Sequence, residues 1–415
     1  MANINGRGMI NEIPNKAIMD ILVEKFQKKM DAVSLQFKRS LMQQINWEAR
    51  LIGIKGARGV GKTTLMLQYI KENLPLDGAS LYVSLDNIWF GENKLSSLVD
   101  AFVKSGGKYL FLDEVHKYPN WSQEIKNSYD DYPELKIVFT GSSLLEIGNA
   151  RADLSRRAVV YELQGLSYRE YLELKLGIVL PIYTLKDLLE NHLEHARAVN
   201  AAIRPLQYFE EYLRTGYFPY VFEQESLYSL RVEEVLNMIL EIELPLLRKV
   251  DMSYVSKLKQ LLQLIAESAP FVPNVTKLAE RIGINRNTFT SYLYFLQEAH
   301  VTRNLYKDAT GITQLQKPDK LYLENTNFQF VLAPQAANKG SVRETFAANQ
   351  LGYRHSLEYS ANGDFLVDGI YTVEIGGKKK GNSQIEGILN AYILADDIEY
   401  GNGNKIPLWL LGFLY

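Results

Sequence analysis

The chain has 415 residues, of which 47% are hydrophobic and 23% charged, and its formal net charge is -2. That size and balance predict a soluble globular protein of about two to four domains and exclude a globally basic nucleic-acid binder, so any such surface is local. The absence of cysteine excludes disulfides and thiolate metal sites and fits a reducing, cytoplasmic setting.

The opening MANINGRGMINEIPNK has no apolar run of the kind a signal peptide needs. No stretch approaches about 18 apolar residues, so no membrane span is expected. Residues 14–45 carry Ile18, Ile21, Leu22, Phe26, Met30 and Leu35 at helical spacing and are expected to form a packing helix.

Leu51–Tyr69, LIGIKGARGVGKTTLMLQY, reads as strand, glycine loop and helix, and fits GxxxxGK[ST] at every fixed position. Gly56, Gly59 and Gly61 let the backbone curl, so that the amides of Gly56, Ala57, Arg58, Gly59, Val60, Gly61, Lys62, Thr63 and Thr64 can face phosphates at a helix start. Lys62 can reach the β- and γ-phosphates of ATP, and Thr63 can give a hydroxyl to Mg2+. Arg58 adds a cation at the loop, with a solvent-facing role as the alternative. A chance glycine turn before a helix is the competing explanation, and the strand-loop-helix context weighs against it.

Apolar strands follow at Ser80–Leu85, Tyr109–Leu112 and Lys136–Thr140, separated by helical stretches, one of them around Lys94–Lys104. Short buried strands alternating with helices predict a parallel sheet whose ligand sits at the carboxyl ends of its strands. The acids Asp113 and Glu114 stand at such an end, as Asp86 does. Asp113 is assigned to Mg2+, and Glu114 to orienting or deprotonating the attacking water. Ser142, after the next strand, is assigned to the γ-phosphate. His116 reads as a structural hydrogen-bonder.

GARGVGKTTL, LDEVHKYPNW, FTGSS and DLSRRAVVYELQGLSYREYL, in that order, resemble a prokaryotic family of AAA-type P-loop ATPases with a C-terminal domain of unknown function and a PD-(D/E)XK nuclease-like tail. The resemblance is strongest over residues 50–175. It implies Walker A and Walker B roles for the residues above. It also implies an arginine finger at Arg156 or Arg157, with a surface salt-bridge pair as the alternative. Residues 166–255 are helical and strand-poor, and the resemblance implies a helical lid there.

Residues 256–306 read as three helices and a strand, the order of a winged helix-turn-helix. Its recognition-helix candidate carries Arg286, Asn287, Thr288, Thr290 and Ser291, with Lys277 and Arg281 nearby. This basic face is sparse, so a protein-contact role is the alternative. In residues 307–415, Glu344 on a helix and Asp364 and Glu374 on strands resemble a PD-(D/E)XK metal site. The lysine expected two residues after Glu374 is Gly376. Lys378 is the candidate substitute, and an inactive scaffold is favoured over cleavage. The run IPLWLLGFLY reads as a buried final strand.

The sequence therefore predicts an α/β protein with N-terminal helices (1–45), a parallel-sheet P-loop ATPase core (46–165), a helical lid (166–255), a winged helix (256–306) and a nuclease-like α/β domain (307–415). The expected activity is Mg-dependent ATP hydrolysis coupled to double-stranded DNA. The alternatives are a nucleotide-gated switch for a protein partner and an ATPase-regulated nuclease. A finger presented in trans would require a homo-oligomer.

Overall fold

The computed structural model describes residues 13–141, 154, 156–268, 273–307 and 317–415. They fall into two units, one within residues 13–163 and one within 164–415, and residues 57–60 group with the second.

In the first unit, β1 (Leu51–Lys55), β2 (Ser80–Ser84), β3 (Tyr109–Asp113), β4 (Lys136–Gly141) and β5 (Val159–Glu162) form one parallel sheet in the order β2-β3-β4-β1-β5. Leu51, Ile52, Ile54, Leu110, Phe111, Leu112, Ile137 and Phe139 are at most 1% exposed, which explains why the central strands are apolar on both faces. Helices α1 (Ile13–Ala32), α2 (Lys62–Asn73), α3 (Leu95–Lys104) and α4 (Trp121–Asp131) belong to the same unit. Gly53 lies where β1 passes Phe139: an added Cβ would sit 2.7 Å from the ring's Cζ.

Three local outcomes differ from expectation. The helix expected over 14–45 stops at Ala32, followed only by a 3-10 turn at Ser40–Gln43. Two α2 side chains account for the stop. Lys71 Nζ donates to the carbonyls of Met30 and Val33, and Gln68 Nε2 to those of Ser34 and Phe37, so the chain's carbonyls are satisfied without further helix. Strand β5 was not anticipated: it is an edge strand whose Val159 and Val160 are 45% and 38% exposed. The final apolar run is a 3-10 helix over Leu408–Phe413 rather than a strand. Its Leu408, Trp409, Leu410, Leu411 and Phe413 are buried all round, which removes the periodicity that distinguishes strand from helix.

The second unit begins with helices over Tyr168–Leu176, Leu185–Ala202, Pro205–Thr215 and Tyr228–Met238. The first opens with a capping box between Ser167 and Glu170. Helices Val255–Glu267, Val275–Ile282 and Arg286–Glu298 follow, and then an antiparallel pair, β6 (Thr302–Leu305) and β7 (Lys320–Leu323). The helix Lys339–Leu351 leads into a mixed sheet of β8 (Leu357–Tyr359), β9 (Phe365–Val367), β10 (Tyr371–Gly376), β11 (Ala391–Ala395) and β12 (Lys405–Pro407), in the order β12-β11-β10-β9-β8. β9 and β10 form a hairpin turning at Asp368-Gly369, both with positive φ (54° and 67°), as a tight primed turn requires. Among the described residues, no helix is long and apolar enough to cross a membrane.

Candidate functional site

The phosphate-loop motif stands where β1 ends and α2 begins. Gly59 (φ 82°) and Gly61 (φ 99°) take left-handed backbone, and Gly61 is the N-cap of α2. Side chains resist that conformation, and it brings the loop to the positive end of α2, where an anion is favoured. Val60 is fully buried, whereas Arg58 and Thr64 are exposed. Lys62 is 5% exposed, and its Nζ donates to the Gly56 carbonyl at 2.8 Å.

Asp113, at the carboxyl end of β3, is 2% exposed. Its Oδ1 accepts from Thr140 Oγ1 and from the Glu114 amide (3.0 Å). Its Oδ2 accepts from Thr63 Oγ1 (2.6 Å) and Tyr82 Oη (2.7 Å). Burial, and after it the Asp113 carboxylate, push the Tyr82 hydroxyl far above the usual phenol range. Thr63 and Asp113 thus bring a hydroxyl and a carboxylate oxygen together at the start of α2. Such hard oxygen donors suit Mg2+, which keeps several waters and needs few protein ligands.

Glu114 is a non-glycine residue at φ 52°, the N-cap of a short 3-10 turn. Strained backbone of this kind re-aims the side chain after a strand. Its Oε2 lies 3.5 Å from His116 Nε2. Ser142 lies outside the described residues. Arg157 makes a two-pronged ion pair with Asp130 of α4, Nε and Nη2 each at 2.9 Å, and Arg156 is exposed. Thr140 and Tyr82 are the two groups the sequence reading did not assign. Thr140 belongs to the strand end where Ser142 was chosen, and Tyr82 lies inside an apolar run that signals only burial.

The C-terminal acids come together differently from the expected pattern. Lys320 of β7 places its Nζ 2.9 Å from Asp364 Oδ1 and 3.4 Å from Glu344 Oε2, and Tyr322 Oη donates to the same Glu344 oxygen at 2.5 Å. The hairpin sets Asp364 beside β10, where its Oδ2 accepts from the Ile375 amide. Glu374 pairs with Lys380, not with Lys378. Lys378 is exposed, and Lys405 Nζ binds the carbonyls of Lys378 and Lys380 (2.7 and 2.9 Å), fixing that loop. Gly376 leaves the space Lys380 occupies: an added Cβ there would lie 2.6 Å from Lys380 Cγ.

Burial first, and Asp364 next, raise the Glu344 carboxyl above its ordinary value against the pull of Lys320. Burial also raises Glu374, with Lys380 opposing. Burial alone would lower Lys320, but Asp364 and Glu344 outweigh it and hold the ammonium above its usual range. Among the described residues, no group of three or more His, Asp or Glu side chains is placed to hold a metal ion.

Residues 48–172 match the family profile of an AAA domain, and residues 206–327 match a domain of unknown function (DUF8612). The chain is similar to an uncharacterized protein of Methanocaldococcus jannaschii, 27% identical over 399 residues, covering 88% of this chain and 80% of that protein. Among solved structures, it is similar to the Walker-type ATPase PABY2304 of Pyrococcus abyssi (13% identity, 71% of this chain, 95% of that chain, TM-score 0.41). It is also similar to AMPPCP-bound DnaA from Aquifex aeolicus (14% identity, 70% of this chain, 90% of that chain, TM-score 0.25). The AAA match over residues 48–172, on a parallel sheet carrying a complete phosphate-loop motif, supports an ATP-binding domain of the AAA ATPase type in this part of the chain.

Proposed function

We propose that the chain hydrolyses ATP in a Mg-dependent reaction at the site built on β1, β3 and α2. The observation that carries this reading is the Thr63–Asp113 contact of 2.6 Å at the start of α2, one residue from Lys62. The loop amides and Lys62 bind the phosphates, and Lys62 exchanges its bond to the Gly56 carbonyl for a phosphate oxygen. Thr63 and Asp113 hold Mg2+, which when bound offsets charge on the β- and γ-phosphates. Glu114 orients the attacking water and takes its proton. Arg156, exposed, is the better finger of the two arginines, because Arg157 is committed to Asp130.

Turnover measured with Mg2+ tests this. Lys62→Ala is expected to lose nucleotide binding. Glu114→Gln is expected to bind ATP but to hydrolyse it at least about a hundredfold more slowly, the usual worth of a general base. Wild-type affinity in the first variant removes the phosphate-loop assignment, and unchanged turnover in the second moves the base elsewhere.

For the second unit we propose a winged helix formed by the helices Val255–Glu267, Val275–Ile282 and Arg286–Glu298 with β6 and β7, coupling ATP turnover to double-stranded DNA. The exposure of Lys277, Arg281, Arg286 and Asn287 supports this reading. Thr290 and Ser291 are less suited to it, since their hydroxyls already donate to carbonyls of their own helix. A protein partner is the second reading, supported by the exposed Ile242, Leu246 and Met252. We propose a scaffold role for the tail, because Lys320, shared by Glu344 and Asp364, and Lys380, on Glu374, already pair with its three carboxyl groups.

A further inference from the structure

Asp113 is held from a side that the phosphate-loop motif does not contain. Tyr82 lies on β2, in register with Phe111 of β3, and reaches along the sheet to Asp113 Oδ2 at 2.7 Å. Its ring is fixed from α1. Phe26 stacks against it at 6.4 Å between centroids, and Lys29 Nζ lies 3.2 Å from the hydroxyl and 4.9 Å from the ring centre. Phe26 and Lys29 are three residues apart, on one face of α1. The hydroxyl therefore accepts from an ammonium and donates to a carboxylate. Charge at both ends strengthens such a chain.

The arrangement matters when the site is loaded. Oδ2 has two side-chain donors, Thr63 and Tyr82. In the ATPase reading, on which this inference rests, Thr63 would offer the metal a lone pair of its hydroxyl oxygen and keep its O–H for Asp113. Of the two donors to Oδ2, Tyr82 is the one not also assigned to the metal, while Thr140 and the Glu114 amide hold Oδ1. We propose that Tyr82, backed by Lys29 of α1, is a positioning residue that fixes the metal-holding carboxylate of Asp113. The N-terminal helix thereby sets how readily the site takes magnesium.

Binding of a fluorescent non-hydrolysable ATP analogue to the full chain, titrated with Mg2+, tests this. Tyr82→Phe keeps the ring and its packing and removes only the hydroxyl. It is expected to raise the Mg2+ concentration at half-maximal binding about tenfold, the worth of one hydrogen bond to a charged group. Metal-free binding of the analogue is expected to stay at the wild-type level. A merely structural role would lower the melting temperature or weaken binding at every Mg2+ concentration, without moving that midpoint. Lys29→Met, at an exposed position, is expected to shift the midpoint the same way by about threefold, as loss of a more exposed contact. An unchanged Mg2+ midpoint in Tyr82→Phe overturns the inference, and an unchanged midpoint in Lys29→Met overturns the link to α1. Failure of the wild-type chain to bind the analogue in Mg2+ is a different result: it removes the ATPase reading itself.

Discussion

Asp113 accepts four hydrogen bonds while nearly sealed from solvent, so the cost of losing a donor depends on whether water can replace it. Thr140 is 0% exposed, and water has no access there. Thr140→Val keeps the shape and removes the hydroxyl, leaving a buried carboxylate oxygen short of a partner. Such a loss costs about 1–3 kcal/mol. Urea unfolding is expected to show that loss in Thr140→Val and less than half of it in Thr140→Ser, which keeps the donor. Equal stability of Thr140→Val and wild type would mean that the Thr140–Asp113 bond contributes nothing net. At this scale the sequence was legible where chemistry fixes residue type and spacing together, as in Gly56 to Thr63. It was silent where a polar tip rides on an apolar body. Tyr82 reads as one more buried residue of SLYVSL, and only the fold brings its hydroxyl to Asp113.

At the scale of elements, sequence pattern predicted the central strands because they are buried on both faces and bounded by helices. It failed where burial or pairing is unusual. The C-terminal run lost its period because every side is covered. Strand β5 pairs along one side only, and the end of α1 was decided by Lys71 and Gln68 from a different helix. The C-terminal acids show the same limit. Glu344, Asp364 and Glu374 were found from their order, but their partners Lys320 and Lys380 come from a strand and a loop that no spacing rule links to them. Removing one member of a buried ion pair costs about 3–5 kcal/mol. Lys320 is 8% exposed, and Lys320→Met is expected to destabilise the second unit by about 3 kcal/mol at neutral pH. The sign of the pH dependence follows from Glu344. Its folded-state value is raised above the unfolded one, so it favours folding below the unfolded value and loses that contribution as pH rises through the folded value. Without Lys320 the carboxyl rises further. The deficit of Lys320→Met is therefore expected to shrink as pH falls toward the unfolded carboxyl range, where Glu344 is protonated in both states. A deficit that grows on acidification would contradict this account. Lys320→Met combined with Glu344→Gln is expected to recover part of the loss, because one of the two carboxylates that Lys320 bridges is then neutral and only Asp364 is left without its lysine.

For the whole molecule, salt dependence separates the two roles proposed for the second unit. A chain of net charge -2 has no general attraction for DNA, so binding must come from local cations. Lys277, Arg281 and Arg286 are the exposed candidates on the helices before β6. Three phosphate contacts would give a slope of about -2.7 for log affinity against log salt concentration, from roughly -0.9 per contact. Duplex DNA is expected to raise ATP turnover of the full chain, with that slope in the DNA concentration needed. Arg286→Ala is expected to flatten the slope by about one contact while leaving turnover without DNA unchanged. Turnover indifferent to DNA at low salt, but still lost in Glu114→Gln, would leave the ATPase standing and remove the DNA reading. The exposed apolar residues Ile242, Leu246 and Met252 would then be the place to seek a protein partner, whose binding should depend on those side chains and only weakly on salt, since apolar burial is not screened.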